Sequence, residues 1–274
     1  MRKFGKQLLA GPYLVWIIGF IILPVFAVLY YALTNSAGSF TMENIAAIAE
    51  PVHLKALFLA LKLAVICTLI CLLLSYPLAM ILNNMKIKEH SFVVFLFVLP
   101  MWMNFMLRIL AWRLLLSNNG IVNALFGLFG FGPVKMLNTP TAVVFGMVYD
   151  FLPFMILPIY TTLMKLDNSL LEAANDLGAS SVQTFLKVTL PLSVPGIISG
   201  IVMVFLPSMT NYVVLDMLYN STYVMGSLIG SYFAAYDWHN GSMIALILLL
   251  IILIFTLFTN KYSDEDEGRG GALI

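Results

Sequence analysis

Residues 165–189, KLDNSLLEAANDLGASSVQTFLKVT, separate two strongly apolar runs at 141–163 and 190–215. Ser169 followed three residues later by Glu172 is a capping box, which predicts a helix start. Leu170, Ala173, Ala174 and Leu177 then recur at i, i+3, i+4 and i+7 and make one narrow apolar face. Gly178 fits a left-handed helix cap that lets the chain turn. Ser180 with Gln183 is a second capping box, predicting a helix that stops before Pro191. Two short amphipathic helices hinged at a glycine therefore lie at a membrane surface. They could rest on lipid, but alanines bury little area there, and no aromatic appears before Phe185. Small residues suit the close approach of another protein surface, so the face reads as a docking knob.

Outward from this segment, composition decides the class. Of 274 residues, 61% are hydrophobic and only 10% are charged, against about 25% in an ordinary soluble domain. The mean hydropathy is +0.98, and no water-soluble core of this length hides so much apolar surface. A net charge of +1 gives no basic surface for nucleic acid. A helix crosses the hydrocarbon layer in about 20 residues, which predicts six spans at 11–33, 55–82, 92–116, 141–163, 190–215 and 241–260. The runs lack the alternation of a membrane barrel, so the fold class is all-α integral membrane. The first run continues through Trp16, Phe20 and Tyr30, longer than a signal-peptide core, and reads as an uncleaved helix. Residues 1–262 form one six-helix domain, and 263–274 an acidic tail expected to be disordered.

Charge sets the orientation. With the N-terminus inside, the inner segments hold Arg2, Lys3, Lys6, Lys86, Lys88, Lys165, Lys187, Lys261 and Arg269. The outer segments hold only Lys55 and Lys135. This bias predicts both termini inside. The outer connections, 117–140 and 216–240, are rich in Gly and Asn yet apolar, and fit short interfacial helices.

Ionisable groups at membrane depth are costly unless paired or hydrated. Lys62 and Arg113 lie near outer helix ends and can snorkel. Arg108 and Asp150 each lie nine residues from the outer end of a predicted span, about 13 Å deep at 1.5 Å per residue. Two readings stand side by side. The residues form a structural ion pair, or Asp150 offers a carboxylate to a passing amine, with Tyr149 and Trp102 supplying aromatic faces. Asn104, Asn211 and Tyr212 are further path candidates whose alternative is helix packing. Pro191, Pro195, Gly196, Gly200 and Pro207 predict a kinked fifth span able to move with the loop before it.

Cys67 and Cys71, at i, i+4 with no nearby His or carboxylate, read as small packing residues. His53, His90 and His239 show no metal-ligand spacing. No phosphate-binding loop and no catalytic triad or paired carboxylates occur. The sequence therefore predicts no catalytic residue, no metal and no cofactor in this chain.

Glu172-Ala173-Ala174, then Asp176, Gly178 and, nine residues on, Val188-Thr189-Leu190-Pro191 resemble the EAA signature of ABC importer permeases, whose usual form has Ile at position 188. The resemblance implies the type I ABC importer permease fold, with the 165–189 loop as the helix that couples to an ATPase. It further implies two ATP-binding subunits holding ATP and magnesium, a second homologous permease subunit, an extracytoplasmic substrate-binding protein, and a place in the bacterial cytoplasmic membrane. From 77 to 230 the chain resembles the spermidine/putrescine permeases of that family. The residues that carry it are Leu99 to Asn104, Arg108-Ile109, Ala111-Trp112, Gly146 to Tyr149, Leu152 to Met155, Leu157 to Tyr160, and Leu166-Asp167. Permeases for sulfate, molybdate and iron share the coupling signature. An ion-coupled secondary transporter is a further alternative, but only Asp150 could serve it as a coupling carboxylate and no inverted repeat is visible.

Overall fold

In the computed structural model, residues 11–46, 49–85, 92, 95–219 and 222–270 are described, the last of these from 260 onward by backbone alone. Arg2, Lys3, Lys6, Lys86, Lys88 and His90 lie outside the described residues. In chain order come α1 (Gly11–Ala32), α2 (Glu43–Ala46), α3 (Pro51–Asn84), α4 (Phe95–Trp102) and α5 (Phe105–Leu115). There follow α6 (Ile121–Leu128), α7 (Pro140–Met164), α8 (Asn168–Asp176) and α9 (Ser181–Thr210). The chain closes with α10 (Val213–Leu218), α11 (Met225–Ala234) and α12 (Trp238–Gly270). Among the described residues α1, α3, α7, α9 and the 238–259 part of α12 are long and apolar enough to cross a membrane. The α4–α5 pair passes the same test as one bent unit, giving up to six spans. The last helix continues to Gly270, past the boundary at 262 read from hydropathy.

Two spans differ from their predicted form. The third is not straight: α4 and α5 meet at 98°. Met103 is extended, and the Asn104 carboxamide oxygen accepts from the backbone N–H of Met106 at 2.9 Å and Leu107 at 3.3 Å. Such a cap starts a new helix rather than prolonging the old one. The second helix of the polar loop, in contrast, does not stop before Pro191. It opens on the Ser180–Gln183 capping box, widens into a π-turn at Phe185–Thr189, and runs on to Thr210. Proline lacks the N–H that would close the next turn. The wide turn, closed by Leu190 N–H on Phe185 O, carries the backbone past it. This span ends at Thr210, where Asn211 is extended and α10 begins two residues later.

The chain divides into two compact units, Met1–Leu57 with Met225–Leu253, and Phe58–Val224 with Ile254–Ile274. In the first, the Asn44 amide donates to the carbonyls of Ala32 and Thr34, both at 3.0 Å, and His53 Nε2 meets Tyr232 Oη at 2.8 Å. In the second, α7 and α9 form the most extensively packed helix pair. Met155, Ile156 and Ile159 are fully buried there. The approach depends on glycine. A Cβ on Gly196 would lie 2.5 Å from Thr162 Oγ1 and 2.8 Å from Pro158 O, and one on Gly200 would lie 2.6 Å from Met155 Sδ. Gly196 and Gly200 thus form a G-x-x-x-G contact face of the kind that brings membrane helices together.

Candidate functional site

Helix α8 begins two residues earlier than its capping box suggests. Asp167 is the cap: its carboxylate accepts from Ser169 N–H at 2.9 Å, and this bond holds the acid below the usual carboxylate range. Ser169 lies inside the helix, and Glu172 stands exposed, outside the cap. The far end follows the sequence. Gly178 has φ +79°, Gly178 N–H bonds Asn175 O at 2.9 Å, and Ala179 N–H bonds Ala174 O at 3.0 Å. This is a Schellman cap, which needs a left-handed residue at its turn.

The helix has two unlike faces. Leu171 and Ala174 are half-buried, and Leu171 with Asn168 and Asn175 lines a groove of about 410 Å³ shared with Met80 and Asn84 of α3. On the other side Leu170, Ala173 and Leu177 are exposed, Leu177 to 89%. No residue of α8 is buried. These three apolar side chains thus lie open together on one face of a surface helix. Asp176 is likewise exposed. Leu190 and Pro191, grouped by sequence with the same function, sit instead on α9, half-buried and exposed respectively.

Two residues that the sequence did not single out tie this loop to the membrane helices. Tyr76 Oη of α3 meets Ser193 Oγ at 2.7 Å, and Ser193 in turn donates to Leu190 O at 2.9 Å. The ring of Tyr76 lies edge-on to Phe185 at 5.6 Å, beside the π-turn. Their only sequence signal was proximity to Pro77 and to the proline-rich start of span five.

At membrane depth, Arg108 of α5 and Asp150 of α7 do meet. Arg108 Nη2 lies 3.5 Å from Asp150 Oδ1, with side chains 9% and 1% exposed. Arg108 Nε and Nη1 and both Asp150 oxygens lack a hydrogen-bond partner among the described residues. The pair is thus buried and incompletely satisfied in hydrogen bonds, an arrangement in which the cost of desolvation is not fully offset. Tyr149 packs edge-on to Trp112 at 5.2 Å. Trp102 is 81% exposed, its ring near Phe95 rather than gathered at the pair. Asn104 caps α5, and Asn211 accepts from Val214 N–H at 3.2 Å at the break after α9, so both carboxamides serve helix breaks. Tyr212, at that same break, is exposed. Lys62 and Arg113 are exposed too. Cys67 and Cys71 are fully buried, their sulfurs 4.0 Å apart, in keeping with packing.

Three kinds of comparison with known proteins agree. The family model described as "Binding-protein-dependent transport system inner membrane component" matches residues 65–261. The spermidine/putrescine transport system permease protein PotB of Haemophilus influenzae is 38% identical over 255 residues, covering 89% of each chain. That of Escherichia coli is 36% identical over 243 residues, covering 85% of this chain and 88% of the other. Among solved structures, a chain of a bacterial ABC transporter involved in the import of the acidic polysaccharide alginate superposes with a TM-score of 0.83. It is 18% identical, and 96% of each chain is covered.

Proposed function

The chain belongs to the family of binding-protein-dependent transport system inner membrane components, and from that membership we propose a permease subunit of an ATP-driven importer of polyamines such as spermidine and putrescine. The observation that carries the substrate class is the 36–38% identity to spermidine/putrescine permeases over most of the chain. The buried Asp150, an acceptor with unused capacity beside an exchangeable cation, supports it. An ammonium of the substrate displaces Arg108 from Asp150 in passing, so the ion pair and the substrate site are two states of one place.

In this reading α8 docks by Leu170, Ala173 and Leu177 on a separate ATP-binding subunit, with Glu172 and Asp176 at the rim of the contact. Two such subunits bind ATP and magnesium and hydrolyse the nucleotide. A second, homologous permease chain completes the path, and an extracytoplasmic binding protein delivers the substrate. Both termini face the cytoplasm, following the lysine and arginine bias. Closure of the ATPase moves α8. The continuous helix α9, joined to α8 by the turn at Gly178, carries that motion through the π-turn into the span packed on α7, and the Tyr76–Ser193 bond makes α3 follow.

Uptake of labelled spermidine tests the reading in cells that lack this chain and in cells given it back, with sulfate and molybdate as controls. Restored spermidine uptake, strongly reduced by Asp150→Asn, is the expected result. Uptake restored only for an anion would overturn the polyamine assignment and leave the family unchanged.

A further inference from the structure

Away from the coupling loop and the ion pair, a cleft of about 470 Å³ opens between α5 and the first turns of α7. Its floor is apolar. Trp112, Leu116 and Phe145 line it, and the Trp112 and Phe145 rings meet edge-on at 4.6 Å. Its rim is polar and carries Lys135, Thr139 and Thr141. Polarity falls along the axis of α7, since Phe145 lies one turn, about 6 Å, beyond Thr141.

The rim is built rather than loose. Asn123, 7% exposed, holds both backbone groups of Val134: its amide donates to Val134 O at 3.1 Å, and its carbonyl accepts from Val134 N–H at 2.9 Å. That bond pair fixes the residue next to Lys135. Thr139 Oγ1 donates to Met136 O at 2.6 Å and accepts from Ala142 N–H at 3.2 Å, fixing the other end of the rim.

We propose that this cleft binds an anionic phospholipid of the bilayer, with the phosphate at Lys135 and one acyl chain along Trp112 and Phe145. The chemistry asks for an anionic head joined to an apolar tail, in the order in which Lys135 and the Trp112–Phe145 floor present them. Charge argues for a lipid over a partner helix: the Lys135 cation at the rim asks for an anion, and the floor asks for a hydrocarbon chain. The volume suits a chain-like molecule and falls within the roughly 300–1,000 Å³ of small-ligand pockets. The assignment is independent of which solute is transported.

The test is quenching of Trp112 fluorescence. The full-length chain, purified with its associated subunits, is reconstituted into vesicles containing brominated phosphatidylglycerol or brominated phosphatidylcholine. The Trp112 component is the difference between wild type and Trp112→Phe. Phosphatidylglycerol is expected to half-quench it at about fivefold lower mole fraction, the selectivity that one cation near an anionic surface gives. Lys135→Ala should remove that difference and Lys135→Arg should keep it. Equal quenching by the two lipids, or selectivity unchanged in Lys135→Ala, would overturn the proposal. So would a Trp112 component that neither lipid quenches, which would place a protein partner in the cleft.

Discussion

Helices α7 and α8 are separated by three residues, yet they use small side chains in opposite ways. On α7, Met155, Pro158 and Thr162 receive Gly196 and Gly200 of α9, and the contact is closed within the chain. On α8, Ala173 sits between Leu170 and Leu177 on a face that none of the described residues covers. Small residues lower the distance of approach in both places. Among the described residues only one of the two faces is covered, and in the proposed reading the other waits for a second polypeptide. The difference separates residues whose loss unfolds the protein from residues whose loss uncouples it.

The largest effect expected on the closed side is at the ion pair. Arg108→Met leaves a buried carboxylate alone and should destabilise the chain by about 3–5 kcal/mol. Arg108→Met combined with Asp150→Leu should recover most of that loss in a thermal melt while polyamine uptake stays absent. A double variant that transports normally would reduce the pair to packing. Next comes Gly196→Ala, whose new methyl meets the carbonyl of Pro158 and the side chain of Thr162. It should destabilise by about 1–3 kcal/mol, read from the melting midpoint of the detergent-solubilised protein. Tyr76→Phe removes one hydrogen bond while Ser193 keeps its own to Leu190. The expected loss is about 1 kcal/mol, with uptake falling more than stability does if α3 follows α9.

The smallest effect lies on the open side, at Asp167. Its carboxyl is held below the usual range by Ser169 N–H, so the cap is intact at neutral pH and is lost as pH falls through that lowered value. Protection factors of the first α8 amides should drop on acidification in the wild type. In Asp167→Asn the pH dependence should flatten.

How far the sequence was legible follows the same division. Apolar runs are set by composition, so their number and order could be read directly. Gly178 and the Ser180–Gln183 box could be read because each is a local bond between near neighbours. The bend in the third span was hidden inside a continuous apolar run, although Pro100 and the capping Asn104 both lay in it. Pro191 pointed the other way: it predicted a stop, and one wide turn absorbed it. Asp167 was passed over because Ser169, two residues later, forms the capping-box pattern with Glu172. Equal depth along two helices brought Arg108 and Asp150 together correctly. It could not place Trp102, because that inference needed a straight helix.

The central claim is that the exposed face of α8 holds an ATP-binding subunit. Leu177→Asp changes a residue that is 89% exposed, so the isolated chain should melt as the wild type does, within about 0.5 kcal/mol. The decisive measurement is how much ATP-binding subunit co-purifies with this variant from membranes. The account predicts that the subunit is lost, and spermidine uptake with it, while the chain remains inserted and folded. A Leu177→Asp chain that retains its full complement of the subunit and transports normally would contradict it.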